Sequence, residues 1–484
     1  MGNCDNNEKY NSKYKEVVGS KNVITPTERI SERAVNYLLE HFHIYSMRED
    51  NKTEIWIYID GIYVRNGRTY LEEELYLILR EKFKSTNIRD IIKKVIAKTY
   101  IDKYDFFEKE PKDEIAVQNG ILNLKTRKLS DFTPEKVFFS KLRCDYDDSA
   151  DCEMIRSFIE NIVACETDVK TLQEMVGFLF LRDYKFHKAF MLEGDGRNGK
   201  GQFIQIVQKL LSPLNFTALS LNQIENDKFL VINLHKKLAN ICGDLSSNDL
   251  KTTGVFKNLT GGDPIVADRK NSSPVEFTNY AKMIFACNQL PITNDNTHAF
   301  FNRWVIVSFP YTFHDKSDID PTNPMHKIKV PSIAEKISSD SEMSGFLNWA
   351  LDGLTRLLKN KEFTTNASTL DVKRKWISKS NSFQAFCEDF IEVGNSNDFM
   401  LKSDMRRSYT NFCNQYGLLI LSDKKIKNYL SENFSCGDEL LYHAEFTSRP
   451  RAWKGIKIKD KAVSSDLLDV AETNACREII NRSE

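Results

Sequence analysis

No Cys-x-x-Cys pair occurs anywhere in these 484 residues, although the chain carries 10 cysteines. Cys4, Cys144, Cys152, Cys165, Cys242, Cys287, Cys387, Cys413, Cys436 and Cys476 stand singly, with no histidine at zinc-finger spacing. A structural zinc site and a disulfide framework are therefore not expected. Most of these thiols fall in apolar runs, where small buried hydrophobes belong. A reducing, cytoplasmic setting is the expectation. No apolar run approaches the ~20 residues that a membrane span requires, and no basic-then-apolar secretory segment opens the chain. Met1-Gly2-Asn3-Cys4 resembles an acylation start, but Asn6 stands where Ser or Thr is usual. Residues 1–25 read instead as a disordered tail. Net charge is also missing, with 68 Lys and Arg against 68 Asp and Glu. Any contact with nucleic acid must then use local patches. No internal repeat is present. The length suggests two to four domains, since single cores rarely exceed ~250–300 residues.

What the chain does have is a glycine-rich turn in the right surroundings. Lys188 to Glu193 reads as a strand and flows into Gly194-Asp195-Gly196-Arg197-Asn198-Gly199-Lys200-Gly201. Phe203, Val207, Leu210 and Leu211 then recur at helical spacing. Strand, glycine turn and helix are the context of a phosphate-binding loop. Its backbone N–H groups turn inward, the helix start adds a positive dipole, and Lys200 supplies a full charge. A nucleoside triphosphate, ATP, is the expected ligand, held by residues 194–202. One position departs from the pattern. Gly201 stands where a hydroxyl would reach Mg²⁺, and Gln202 is a poor substitute.

The remaining chain divides by pattern. Thr25-Pro26-Thr27-Glu28 reads as a helix start, with Ile30, Ala34, Tyr37 and Leu38 as its buried stripe. Glu54 to Tyr63 reads as a hairpin turning at Asp60-Gly61. Helices follow from about Leu71 to Ala97, and a small β unit spans Ile115 to Leu124. These make an α+β N-terminal domain over 26–150. Residues 151–185 read as a helical connector. Strands alternate with helices over 186–359, the pattern of a three-layer α/β domain. A polar linker is expected over 360–381. Helices at Phe383–Ile391, Lys402–Tyr416 and Asp423–Asn433, then a strand Ala452–Ile458, suggest a winged-helix-like domain over 382–460. A helical tail closes the chain over 461–484. The fold class is thus multidomain α/β.

Three further segments complete a set: Lys237 to Asp244, an apolar strand ending in an acid; Lys257 to Lys270, leading into a second extended segment that ends at Phe277; and Lys282 to Pro291, a buried strand ending in an amide that includes Asn288. Ala299-Phe300-Phe301-Asn302-Arg303-Trp304 follows. In this order and spacing the set closely resembles superfamily 3 helicases, AAA+ motors encoded by phages, plasmids and large DNA viruses. The helicase part of phage/plasmid and poxvirus primase–helicases is the nearest kind. The resemblance covers roughly Phe190 to Pro310 and extends weakly to the N-terminal domain through Trp56 to Tyr63 and Asn119 to Asn123. No polymerase-type or zinc-binding primase module is recognised.

The resemblance implies an AAA+ P-loop core and a role for each residue. Asp244 would orient Mg²⁺ or its water shell at the γ-phosphate. The family pattern often has two acids here, whereas Gly243 precedes Asp244, which leaves open what activates the attacking water. Asn288 would be the polar sensor of the γ-phosphate, able to donate and accept without adding charge. Arg303 would be the arginine finger that reaches a neighbouring subunit's nucleotide. Lys270, then Arg269 and Lys257, would grip single-stranded DNA at a hairpin in a ring's channel. Arg406, Arg407, Lys424, Lys425, Lys427, Arg449, Arg451, Lys454, Lys457 and Lys459 would offer a duplex or fork surface, among interspersed acids.

The reading is a ring-forming, ATP-dependent DNA helicase of a virus or mobile element. It would assemble as a hexamer and travel 3′-to-5′ on single-stranded DNA at replication forks, alongside a separate primase or polymerase. Two rivals remain: an origin-binding initiator whose ATPase drives assembly, and a P-loop ATPase or kinase with no DNA role.

Overall fold

The computed structural model describes residues 27–47, 53–245, 250, 252–269, 272–365, 367–395, 398–416, 418, 420–434, 436–440 and 450–459. The readings for residues 1–25, for 461–484, and for Lys270 and Arg449 lie outside the described residues. Within them, no helix is long and apolar enough to cross a membrane. The eight described cysteines are free thiols, and all but Cys165 are buried.

The N-terminal unit is built around a sharp turn. Strands β1 (Ile44–Met47), β2 (Ile55–Ile59), β3 (Ile62–Val64) and β4 (Tyr100–Ile101) form a sheet in the order β3-β2-β1-β4. Asp60 and Gly61 join β2 to β3 with positive φ angles of 50° and 85°, the backbone that a two-residue hairpin turn demands. The helix Thr27–His41 buries Ile30, Ala34, Tyr37 and Leu38, as its spacing predicts. The helices expected from about Leu71 to Ala97 are Gly67–Leu79 and Ser85–Lys98, separated by a short turn at Arg80–Lys82. The opposite side of the sheet carries an aromatic cluster of Trp56, Tyr63 and Phe106. Strands β5 (Glu114–Val117), β6 (Gly120–Asn123) and β7 (Leu129–Ser130) follow. Their Ile115, Val117 and Leu122 join the apolar cluster of the central domain.

The helices Glu153–Ile162 and Glu166–Phe178 lead into that domain. Its sheet contains β8 (Ala189–Glu193), β9 (Phe216–Thr217), β10 (Ala239–Cys242), β13 (Lys282–Cys287) and β14 (Trp304–Ser308). The order is β14-β8-β13-β10-β9, and every pairing is parallel. β8, β10 and β13 are buried at every position, which explains why they read as unbroken apolar runs rather than alternating ones. Between β10 and β13 the chain forms an antiparallel hairpin, β11 (Pro264–Arg269) and β12 (Ser272–Thr278). β15 (Thr312–His314) and β16 (His326–Ile328) form a small pair after β14. The long helix Asp340–Asn360 packs against Glu166–Phe178.

Two stretches differ from expectation. Residues 360–381, read as a linker, hold the helix Thr369–Ser380. Its polar composition hides a narrow stripe of Val372, Trp376 and Ile377. Trp376 is fully buried, 5.0 Å from Trp304 and 5.3 Å from Phe300 between ring centroids. The second difference lies at 452–458, read as one strand. Gly455, with φ 80°, divides it into β20 (Arg451–Lys454) and β21 (Ile456–Ile458).

The last unit runs helix Ser382–Phe390, β17 (Ile391–Val393), β18 (Phe399–Leu401), helices Lys402–Tyr416 and Asp423–Phe434, β19 (Asp438–Leu440), β20 and β21. Phe383, Phe386, Tyr409, Leu430 and Trp453 make its core.

Candidate functional site

All five strands of the central sheet point the same way, so the loops after β8, β10 and β13 emerge on one edge. The chain leaves β8 toward the β9 margin and leaves β13 toward the β14 margin. Such opposed departures open a crevice at the carboxyl ends of the two strands, where α/β sheets bind ligands. The glycine loop follows β8 into that crevice, and Asn288 follows β13.

Within the loop Gly196 and Gly199 have φ angles of 92° and 89°. A Cβ at Gly199 would stand 2.6 Å from Ile162 Cγ2, so a side chain there would strike the connector helix. Lys200 begins the helix Lys200–Leu211 and is buried. Its ammonium donates to Gly194 O at 2.5 Å and lies 3.5 Å from Asn288 Oδ1. Burial pushes the Lys200 ammonium below its ordinary pKa, and the charges of Cys287, Glu193, Asp195 and Asp244 oppose that shift. Asp244 is exposed on the same edge, just beyond β10. The structure therefore brings Lys200, Asp244 and Asn288 together. Asn198 is buried, with Nδ2 3.5 Å from Phe309 O, and Asp195 and Arg197 are exposed. Gln202 faces elsewhere, accepting from the Ala334 backbone N–H. A Cβ at Gly201 would meet nothing within 4 Å, so the position usually given to a hydroxyl is open space.

Arg303 is placed apart from these groups. It immediately precedes β14, whose Trp304 pairs with Ala189 and whose Ser308 pairs with Glu193. The guanidinium thus sits at the opposite edge of the sheet from the glycine loop, a strand length of about 15 Å away. Its Nε donates to Thr260 Oγ1 at 3.0 Å and its Nη1 to Ala299 O. Partial burial lowers its pKa, and Asp263 and Asp295 counter the effect.

The predicted hairpin forms, and Arg269 and Lys257, the two described members of its predicted cation set, are engaged within the chain. Arg269 Nη1 pairs with Glu54 Oε1 of the N-terminal unit at 3.1 Å. Lys257, on the helix Gly254–Gly261, pairs with Asp295 Oδ2 at 2.8 Å. The cations of the last unit are also largely held by local acids. Lys402, Lys427 and Arg451 all meet Asp438, while Arg406 meets Asp423, Lys454 meets Glu439 and Lys457 meets Glu392.

With this geometry in view, two family models match the chain. Residues 33–164 match "D5 N terminal like". Residues 192–303 match "Family of unknown function (DUF5906)", a span that contains Lys200, Asp244, Asn288 and Arg303. The chain is 20% identical over 328 residues to "Putative helicase 121R" of Invertebrate iridescent virus 3, covering 62% of this chain and 34% of that protein. It is 30% identical over 82 residues to "Putative helicase 184R" of Invertebrate iridescent virus 6, covering 16% of this chain and 8% of that protein. The chain therefore matches about a third or less of the length of these relatives. Among solved structures, "The A form apo structure of NrS-1 C terminal region-CTR" superposes with a TM-score of 0.43 at 13% identity, over 87% of this chain and 98% of that one.

Sequence reasoning missed a group of residues behind the loop. Glu193, the last residue of β8, is buried, accepts from Ser308 Oγ at 2.9 Å and pairs with Lys379 at 3.2 Å. Lys375 donates to Ser308 Oγ at 2.6 Å. Both lysines lie on the helix that was read as linker. Their i, i+4 spacing around Trp376 was the available signal.

Proposed function

We propose that this chain is an ATP-hydrolysing DNA helicase motor of the superfamily 3, AAA+ kind, serving replication of a virus or mobile element. Its catalytic site would be shared between neighbouring copies in a ring, with a hexamer the implied form. The observation that carries this reading is the division of the expected catalytic set between two edges of one rigid sheet. Lys200, Asp244 and Asn288 meet at one edge, and Arg303 stands at the other. A guanidinium there can serve a nucleotide only on another copy.

Chemically, the loop N–H groups and Lys200 would bind the β- and γ-phosphates. Lys200 already rests on two oxygen acceptors, which phosphate oxygens would replace. Asn288, beside Lys200, would orient the attacking water or the γ-phosphate. Among the described residues no cluster of three acidic, His or Cys side chains forms a metal cage. Mg²⁺ would accordingly be held by Asp244, with phosphate oxygens and water completing its shell, as this ion commonly binds. It would supply charge neutralisation at the transferred phosphoryl group. The names of the viral relatives support a helicase role. The β11–β12 hairpin, with Arg269 at its end and Lys270 next in sequence, would follow the strand's phosphates. Travel 3′-to-5′ is what the family resemblance implies.

Mixing defective copies tests the shared site. Lys200→Ala and Arg303→Ala should each abolish ATP turnover, the second because a finger is worth about 10³–10⁵ in rate. Mixed together, the two should regain part of the activity at interfaces that pair an intact loop with an intact finger. Strand separation of a forked DNA should need ATP and the parent chain. Normal turnover by dilute, monomeric Arg303→Ala would refute the shared site. ATP turnover by the parent that neither responds to single-stranded DNA nor separates the fork would refute the helicase reading.

A further inference from the structure

The N-terminal unit and the hairpin meet at an unequal group of charges. Arg269, at the end of β11, is paired with Glu54, which precedes β2. Beside them Arg65, one residue beyond β3, is exposed and holds its guanidinium over the Trp56 ring, 5.1 Å from the centroid. Arg65 lies within electrostatic reach of both Glu54 and Arg269. Glu54 is a carboxylate that faces this guanidinium pair, and it sits on Arg269. Further cations surround them. His235 is held at a pKa of about 3, first by burial and then by the charges of Lys236, Arg65, Arg269 and Lys103. Lys237 is likewise lowered by burial and by Arg65. Glu110, a further acid of this interface, is already shared by Arg182 and Lys236.

We propose that Arg65 and Arg269 form a two-guanidinium site for the phosphates of a single-stranded nucleic acid, and that Glu54 holds the phosphate's place while no strand is bound. The site rests on the proposed function and extends it by recruiting the N-terminal unit to the strand's path. Arg269 is ion-paired with Glu54 and Arg65 stacks on Trp56, so the two guanidiniums keep positive charge beyond that one carboxylate. A phosphodiester presents two unesterified oxygens and suits the planar donors of arginine. Arg65 is already ordered against Trp56, so little side-chain freedom is lost on binding. Arg269 can turn from Glu54 to a phosphate without changing the charge it faces. Because the contact is to backbone phosphate, it reads no base.

The full chain and a fluorescein-labelled oligothymidylate, followed by anisotropy over a range of NaCl concentrations, provide the test. Arg65→Ala and Arg269→Ala should each weaken binding about five- to tenfold, the loss of one charge-assisted contact. Each should also flatten the log–log salt dependence by about 0.7, as expected for one phosphate on a single strand. Glu54→Gln should tighten binding, because it removes the competitor. Arg65→Lys keeps the charge and should keep most of the salt slope, which separates a lost contact from a misfolded chain. Wild-type affinity and slope in Arg65→Ala, with losses only in Arg269→Ala, would overturn this site and leave the hairpin's role intact. Unchanged affinity in Glu54→Gln would overturn the place-holding role. Absence of oligothymidylate binding by the parent chain, including capture of an acidic peptide in its stead, would overturn both this site and the helicase reading.

Discussion

At the level of single residues, the nucleotide loop is complete except at Gly201. The helix begins one position earlier, and a side chain at 201 would meet nothing within 4 Å. Gly201→Ser should therefore fit without strain and add a hydroxyl beside the expected metal position. It also replaces the poorest non-proline helix former in a first turn, worth a few tenths of a kcal/mol at about this position. The expected outcome is a lower Mg²⁺ concentration for half-maximal ATP hydrolysis, with no loss of melting temperature. An unchanged Mg²⁺ dependence would mean that Asp244 and water already satisfy the ion. The acid that would partner Asp244 in the usual pattern is absent from position 243, and Glu193 does not replace it in this structure. Its carboxylate is committed to Ser308 and Lys379.

Among the elements, the helix Thr369–Ser380 is where sequence and structure diverge most. Trp376 is fully buried, its indole N–H donates to Pro291 O at 2.9 Å, and it packs on Trp304 and Phe300. Trp376→Ala should cost about 3–5 kcal/mol, a large-to-small core loss, measurable as a lowered urea midpoint. A cost below about 1 kcal/mol would show that the helix is peripheral after all. Elements whose signal lies among sequence neighbours were legible. The Asp60-Gly61 turn, the buried parallel runs and the glycine loop each state their geometry within a few residues. This helix was not legible, because Lys373, Arg374, Lys375 and Lys379 dominate its composition. Its two partnered lysines contact residues far along the chain, Lys375 reaching Ser308 across 67 positions. The candidate site divides in the same way. Lys200, Asp244 and Asn288 could be named from motifs, and their convergence follows from strand order. The attachment of Arg269 to Glu54, 215 positions away, has no local signature.

For the whole molecule, one buried ionic group fastens the N-terminal unit to the motor. Glu110 receives Arg182 Nε and Lys236 Nζ, both at 2.9 Å, and Tyr280 Oη at 3.3 Å. Arg182 and Glu110 are each about 5% exposed or less at their side chains. Glu110→Ala would leave the Arg182 charge buried without its partner. Breaking such a pair costs about 3–5 kcal/mol, and calorimetry should show it as a lowered or divided unfolding transition. An unaltered single transition would mean that the Glu110 group does not hold the two units together. Within that motor the parallel ladder from Trp304–Ala189 to Ser308–Glu193 stiffly holds Arg303 a strand length from the glycine loop. Under the proposed reading, that stiffness makes each copy dependent on company. A lesion at Arg303 would be felt by the adjoining copy's fuel rather than its own, so mixed populations should fail in proportion to encounters between good and bad faces, not to head count.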